Sequence, residues 1–283
     1  YRYNNNTNWH NEIYTPGALS KFHIFLKGGD EIATYNISAG FLKHEGAYSK
    51  TGYSRFNLRI NGKINITDRF SITPNVKLSL ADSHTPNQGT SVYKNPLISG
   101  VLIPSILQPY SRDEKNGETL PFIDDVSSFN VSNPVSIITN AIGANRNYNF
   151  LSSIKAQYKI SNELSLNNLV GINFNNAREN IFLPDKGLVQ VDSAANSPGV
   201  FVNEFRSTQN HATIDYKKET KRGHNWNGQA GARLMMNSYK FNKAISLNTP
   251  SDDFKKLNDG AKYNYLRTSM GDDRKLNWLS YFA

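Results

Sequence analysis

The chain has 283 residues, 32 Lys and Arg against 23 Asp and Glu for a net charge of +9, and no cysteine. That excludes disulfide frameworks, thiolate zinc sites and thiol nucleophiles, and no run of 18 apolar residues offers a transmembrane helix. With 38% hydrophobic residues, 12% aromatics and 37 asparagines, the composition points to β structure rather than helix or disorder. Residue 1 is Tyr, and no charged n-region or apolar h-region follows it, so the expectation is a piece of a longer chain without a signal peptide.

Alternation with a period of two dominates from the start. Phe22, Ile24 and Leu26 begin it, and Ala33, Tyr35, Ile37, Ala39 and Phe41 oppose Thr34, Asn36, Ser38 and Gly40. Phe56, Leu58, Ile60 and Ile64 oppose Arg55, Asn57, Arg59, Asn61 and Lys63. A polar turn then leads to Phe70, Ile72, Pro74, Val76, Leu78 and Leu80, opposed by Ser71, Thr73, Asn75, Lys77 and Ser79. Such runs are strands with one apolar and one polar face. The pattern returns at Tyr148, Phe150, Ile154, Ala156, Tyr158 and Ile160, and again at Leu164, Leu166, Val170, Ile172 and Phe174. Ala212, Ile214 and Tyr216 mark a weaker strand, Trp226, Ala230, Ala232, Leu234 and Met236 a stronger one, and residues 276–283 read as the last. The count is about nine strands.

Connection lengths alternate as well. Short turns at 28–32, 67–69, 161–162 and about 220–225 interleave with longer connections at 44–52, 82–146, 177–207 and 239–274. All short turns therefore fall at one end of the sheet. A soluble sandwich or lipocalin-like barrel also has one apolar face. Strand length and loop asymmetry favour a transmembrane β-barrel, which needs about 9–11 residues per tilted strand, short turns on one side and long loops on the other.

Residues 28–61 add a specific resemblance. Gly28-Gly29 is followed by Tyr35-Asn36-Ile37-Ser38, Gly40-Phe41, Glu45-Gly46 and Ser54-Arg55-Phe56-Asn57-Leu58-Arg59-Ile60-Asn61. This resembles the first barrel strands of the SusC/RagA family of TonB-dependent outer-membrane transporters. In that family a Gly-Gly turn, a Tyr-x-x-Ser-x-Gly-Tyr strand, a Glu-Gly loop and an Arg-Tyr-x-Leu-Arg-x-Asn strand follow at this spacing. Upstream, Thr7-Asn8-Trp9-His10-Asn11-Glu12-Ile13 is similar to the family's Thr-Asp-Trp-x-Asp-Glu-Ile segment, with Asn8 in the Asp position. Leu279-Ser280-Tyr281-Phe282-Ala283 is similar to its Ser-Tyr-Phe-Gly/Ala run.

The resemblance implies an all-β fold, an antiparallel barrel of about 22 strands of which this chain would hold roughly two-fifths. Residues 1–283 would be a partial barrel domain in the cell outer membrane, with the plug and remaining strands absent. It further implies Bacteroidota-type import of oligosaccharides or peptides with a SusD-like surface lipoprotein, driven by TonB through an absent N-terminal region. Outer-membrane lipid and lipopolysaccharide would surround the wall. A transport-inactive structural subunit bound to other outer-membrane complex subunits would look the same over these residues. A soluble β-rich binding domain is the further alternative.

Catalysis finds no foothold in the sequence. The six histidines are scattered without metal-ligand spacing, and no P-loop, dinucleotide fingerprint or nucleophile elbow occurs. The expectation is no enzyme, no cofactor and no metal. Acidic doublets at 113–114, 124–125, 252–253 and 272–273 read as solvated loop charge rather than a calcium site. Arg55, Arg59, Lys63, Lys77 and Arg233 are expected to line the lumen, where plug carboxylates would meet them. Dispersed charge and aromatics on the opposite face exclude nucleic acid. The connection 82–146 is too apolar to extend freely into water. Either this segment docks a partner or lines the cavity, with Tyr93, Leu97, Ile98, Leu102, Ile103 and Tyr110 as the expected contacts, or it packs on its own barrel rim.

Overall fold

The computed structural model describes residues 3–85, 93, 95–113, 115–124, 129–189, 196–220, 223–257 and 266–283. Eleven strands and three short helices appear among them. Nine strands form one antiparallel sheet: β1 (Ala18–Gly29), β2 (Ala33–Glu45), β3 (Gly52–Asn65), β4 (Phe70–His84), β7 (Ile142–Lys159), β8 (Leu164–Leu183), β9 (Ser197–Glu219), β10 (Asn225–Leu247) and β11 (Leu266–Phe282). Each pairs with the next in that order, and among the described residues β1 and β11 do not pair, so the sheet stays open. The strands β5 (Tyr110–Arg112) and β6 (Thr119–Ile123) form a separate small hairpin inside the connection from β4 to β7.

Register aligns the alternation across the whole sheet. Phe22 lies opposite Phe41, Phe41 opposite Phe56, Phe56 opposite Leu80 and Leu80 opposite Tyr148. One row along, Leu78 meets Phe150 and Phe150 meets Phe174. A slip of one residue in any pair would turn a strand's apolar set to the wrong face. On the other face Asn61 meets Asn75 and Asn75 meets Ser153, and the Ser79 hydroxyl donates to Asn57 Oδ1 at 2.9 Å. Asn175 Nδ2 donates to Asn147 Oδ1 at 3.1 Å. Asparagine is thus a recurrent residue of the polar face.

The apolar face has no cover among the described residues. Phe22, Ile154, Val170 and Ile214 are 61%, 52%, 49% and 49% exposed. A soluble sandwich would bury this face against a second layer. Two asparagines within it bond each other: Asn168 and Asn210 exchange amide hydrogen bonds at 3.2 and 3.5 Å. In hydrocarbon, where no water could serve those amides, such pairing is required.

The packed core lies in a cap built from the ends of the sheet. It comprises α1 (Trp9–Ile13), α2 (Pro96–Leu102), α3 (Pro134–Asn140) and the segments around them. Asn8, Asn95 and Asn133 cap the three helices through their side-chain oxygens, and Pro96 and Pro134 open α2 and α3. An Asn accepting orphan helix amides, with Pro where no amide is needed, starts a helix with little help from its length. Trp9, Ile103, Leu107, Val131 and Val135 form one buried cluster, and Ile13, Tyr48 and Ile138 a second. The helix α1 spans both, since Trp9 and Ile13 are one turn apart. It ties chain ends together over long separations: Trp9 Nε1 donates to the Pro104 carbonyl at 3.0 Å and Thr7 N to that of Ser105 at 2.8 Å.

Two connections are shorter than the alternation suggests. The stretches 177–183 and 197–207 belong to β8 and β9, and 239–247 and 266–274 to β10 and β11, leaving connections at 184–196 and 248–265. Strand length grows from 12 residues in β1 to 23 in β9 and β10. Upper strand ends beyond the apolar band carry polar runs such as Arg178-Glu179-Asn180 beside apolar runs such as Ile181-Phe182-Leu183 and Val200-Phe201-Val202, so the period of two disappears although pairing continues.

Two outcomes follow from this packing. Val170→Arg, in the middle of the apolar band, should lower stability in lipid bilayers by about 2–4 kcal/mol, while Asn149→Arg on the polar face should stay within about 1 kcal/mol. Urea unfolding in vesicles measures both, and equal losses would count against the assignment of faces. The Tyr48 hydroxyl is buried without a hydrogen-bond partner among the described residues, and burial raises its pKa. Tyr48→Phe should therefore leave the cap as stable or up to about 1 kcal/mol more so, whereas Tyr48→Ala should cost about 3 kcal/mol. Amide exchange in α1 and α2 reads the difference, and a loosened cap in the Phe variant would contradict it.

Candidate functional site

The apolar run 96–110 divides between the inside and the outside of the cap. In α2, Ser99 is fully buried and donates its hydroxyl to the Asn95 carbonyl at 3.0 Å. Gly100 leaves no room for a side chain, because a Cβ there would run into Ile13 Cδ1. These two positions let α2 lie directly on α1. Past the helix, Ile103 and Leu107 are 5% and 1% exposed. Val101, Leu102 and Ile106 point outward, 84%, 55% and 42% exposed.

The six residues expected to make contacts are therefore not equivalent. Ile103 is inside the cap core and unavailable, a correction that follows from its position on the buried side of the α2 terminus. Leu97 packs against the Ile13, Tyr48 and Ile138 cluster, and Tyr110 against the Trp9 cluster. Ile98 is half-buried. The Tyr93 carbonyl accepts from Ser132 Oγ at 2.5 Å and its hydroxyl from Asn130 Nδ2 at 3.5 Å, so this residue holds the connection to itself. Leu102 alone of the six is strongly exposed. The sequence reading passed over Val101 and Ile106, the partners of Leu102 in the outward patch.

The five basic residues lie on the polar face of the sheet. Arg59 sits directly opposite Lys77, Arg55 opposite Ala81, and Lys63 opposite Thr34. Arg233 is on β10, four strands beyond β4 in the sheet, and bonds Gln209 Oε1 at 3.1 Å. So the wall gathers four cations on β3 and β4 and keeps the fifth apart. None of the five forms an ion pair with a described residue. Like charges facing each other across a ladder destabilise a sheet, which makes Arg59 and Lys77 a place where an anion would be welcome.

The acidic residues have structural tasks. Asp252 accepts from the Asp185 and Lys186 amides at 2.7 and 3.3 Å, pinning 184–189 to the connection after β10. Asp272 and Asp273 pair with Arg274 and Lys240. In the first short turn, the Ala33 and Ile32 amides donate to Asp30 and hold its carboxyl below its ordinary pKa. These bonds are intact at neutral pH and are lost only as pH falls through that lowered value. Glu114 and Asp125, the second members of two doublets, lie outside the described residues. Among the described residues no group of three acids or histidines could hold a metal.

Comparison with known proteins agrees with this geometry. No protein-family model matches the chain. It is 24% identical over 264 residues to TonB-dependent receptor P3 of Formosa agariphila, covering 90% of this chain and 25% of the relative. It is also 24% identical over 270 residues to TonB-dependent receptor P26 of the same organism, covering 93% and 25%. The chain thus spans about a quarter of the length of the curated relatives it matches. In structure it superposes on the RagAB peptide transporter with a TM-score of 0.75 at 18% identity, covering 99% of this chain and 31% of that one. The RagAB peptide importer in its open-open state gives 0.74 at 17% identity, with 98% and 31% covered. In sequence the chain is similar to TonB-dependent receptors, and its fold is that of part of the RagAB peptide transporter.

Proposed function

We propose that residues 1–283 supply part of the barrel wall of an outer-membrane importer coupled to TonB, with plug and further strands elsewhere in a longer protein. The observation that carries this reading is the nine-stranded sheet with an uncovered apolar face and an Asn- and Arg-rich opposite face. Lipid would cover the first and the lumen would hydrate the second. The free edges of β1 and β11 would pair with the neighbouring strands, since hydrocarbon offers open amides no solvent. Similarity to TonB-dependent receptors and to a peptide importer supports import as the activity, with oligosaccharides or peptides as cargo. Plug carboxylates would neutralise Arg55, Arg59, Lys63 and Lys77.

A SusD-like surface lipoprotein is the partner in this reading, and the cap is its landing place. Three exposed apolar side chains held on a packed core form a preorganised patch, the kind of surface that lowers the entropy lost on binding. The test is affinity purification of the full-length protein from its own membrane with Val101→Glu and Leu102→Glu combined. The surface lipoprotein should fall at least about tenfold in yield, while heat-modifiable gel mobility reports an intact barrel. Undiminished recovery of the lipoprotein would remove the cap from the interface.

A further inference from the structure

The polar face changes character on two neighbouring strands. On β2, β3, β4, β7 and β8 its only Phe, Tyr or Trp is Tyr53. On β9 and β10 the same face carries Phe201, Phe205, Tyr239 and Phe241. Phe205 lies directly opposite Tyr239, and Phe241 opposite Asn203. Phe201 lies opposite Lys243, whose Nζ stands 5.2 Å from the centre of its ring. At a rise of about 3.3 Å per residue and a strand spacing of about 4.8 Å, the four rings occupy a patch about 13 Å long and two strands wide. They stand toward the end of the sheet that bears the long connections, where the outer face of β9 turns from Ile214 and Ala212 to Arg206 and Glu204. Tyr239 is 39% exposed, the three phenylalanines are half-buried, and none of the four belongs to the buried clusters of the cap. Aromatic rings gathered on a face that otherwise presents asparagine, serine and lysine to water mark a surface made for contact.

Side-chain amides are interleaved with the rings, and charge is balanced around them. The Tyr239 hydroxyl donates to Asn203 Oδ1 at 3.2 Å, and among the described residues the Asn203 amide hydrogens have no acceptor. Asn175, opposite Phe205, donates to Asn147 Oδ1 at 3.1 Å and keeps its own Oδ1 as an acceptor. Arg274, opposite Tyr239, pairs with Asp272, opposite Phe241. Lys243 rests on one side of Phe201, and Glu179 is its cross-strand neighbour on the other. Two cations thus meet two carboxylates, and the patch as a whole is neutral. Both strands are paired on both sides here, so the patch offers no main-chain edge to which an extended peptide could add itself.

We propose that Phe205, Tyr239 and Phe241, with Asn203 and Asn175, form a platform for an uncharged oligosaccharide on the inner wall of the barrel mouth. The inference rests on the reading of the chain as part of an importer's wall, and it narrows the cargo from two classes to one. A pyranose presents apolar C–H groups on its ring face and hydroxyls around its rim. The ring face lies well on aromatic surface, and the hydroxyls meet amides that both donate and accept. An anionic glycan or a charged peptide would find no net charge here to answer its own.

Isothermal titration calorimetry of the full-length protein, purified in detergent with whatever partner it retains, tests the proposal. The probes are neutral hexasaccharides of an α-glucan, a β-glucan, a mannan and a xylan, an oligogalacturonate of the same length, and a pool of hexapeptides. At least one neutral hexasaccharide should bind, in preference to the uronate and the peptides. Tyr239→Ala should weaken that binding about tenfold, as removal of an aromatic contact at the centre of a binding surface does, whereas Tyr239→Phe keeps the ring and most of the affinity. Asn203→Ala, which spares every ring, should weaken it as well. Asn242→Ala, one residue from Phe241 but on the outer face, should change nothing. Silence from all four neutral glycans, preference for uronate or peptide, or indifference to both Tyr239→Ala and Asn203→Ala would overturn the platform. Heat-modifiable mobility and sedimentation with outer membranes separate the two readings. A chain absent from the membrane contradicts the proposed function, whereas an embedded, folded barrel that takes peptides instead contradicts the platform alone.

Discussion

A backbone amide in hydrocarbon has only other backbone groups for company, and in the proposed reading the nine-stranded sheet answers to that constraint. Eight consecutive antiparallel ladders satisfy the amides of the nine strands except along the outer edges of β1 and β11. Pairing forces alternation, alternation separates two faces, and the two faces sort the side chains. Phenylalanine, leucine and isoleucine collect on one, asparagine, serine, lysine and arginine on the other. Two amides caught on the apolar side, those of Asn168 and Asn210, serve each other. A soluble fold built from the same strands would need a second layer over the apolar face, and among the described residues none is present.

Conventional packing is confined to the cap, where water returns as the solvent and burial again drives folding. Trp9 and Ile13 on α1 join two buried clusters whose other members come from beyond residue 47. This gives a physical reason for the segment from Thr7 to Ile13 that resembles the SusC/RagA family. Its Trp and Ile fill the cap, and its Asn8 caps the helix as an Asp would. A motif that reads as a family signature is here a staple between the start of the chain and the β4–β7 connection.

Much of the wall was legible in the sequence, because a period of two along 10 residues or so leaves little choice of structure or face. Nine strands, their order, the short turns and the side occupied by Arg55, Arg59, Lys63, Lys77 and Arg233 all follow from it. What escaped the reading lies where two environments no longer contrast. At 177–183 and 197–207 apolar residues fall on both faces, as in Ile181-Phe182-Leu183 and Val200-Phe201-Val202, so paired strands look like loops, and Arg178 was lost among loop residues. In the cap, helices of seven residues show too few turns for a 3.6 period, and Ile103 cannot be told from Leu102 without the partner helix. The Asn-Pro pairs before α2 and α3 were the available signal. They mark where each helix begins, though not which side it buries.

The assignment of faces is the claim on which import and partner both rest. The chain has no cysteine of its own, so single cysteines can be placed along β7 and probed with a charged maleimide in the intact outer membrane. Positions 149, 153 and 155 should react from the aqueous lumen, and positions 150, 152 and 154 should stay unlabelled within the bilayer. Equal reaction at both sets would mean that the apolar face meets water, and the barrel wall would have to be abandoned.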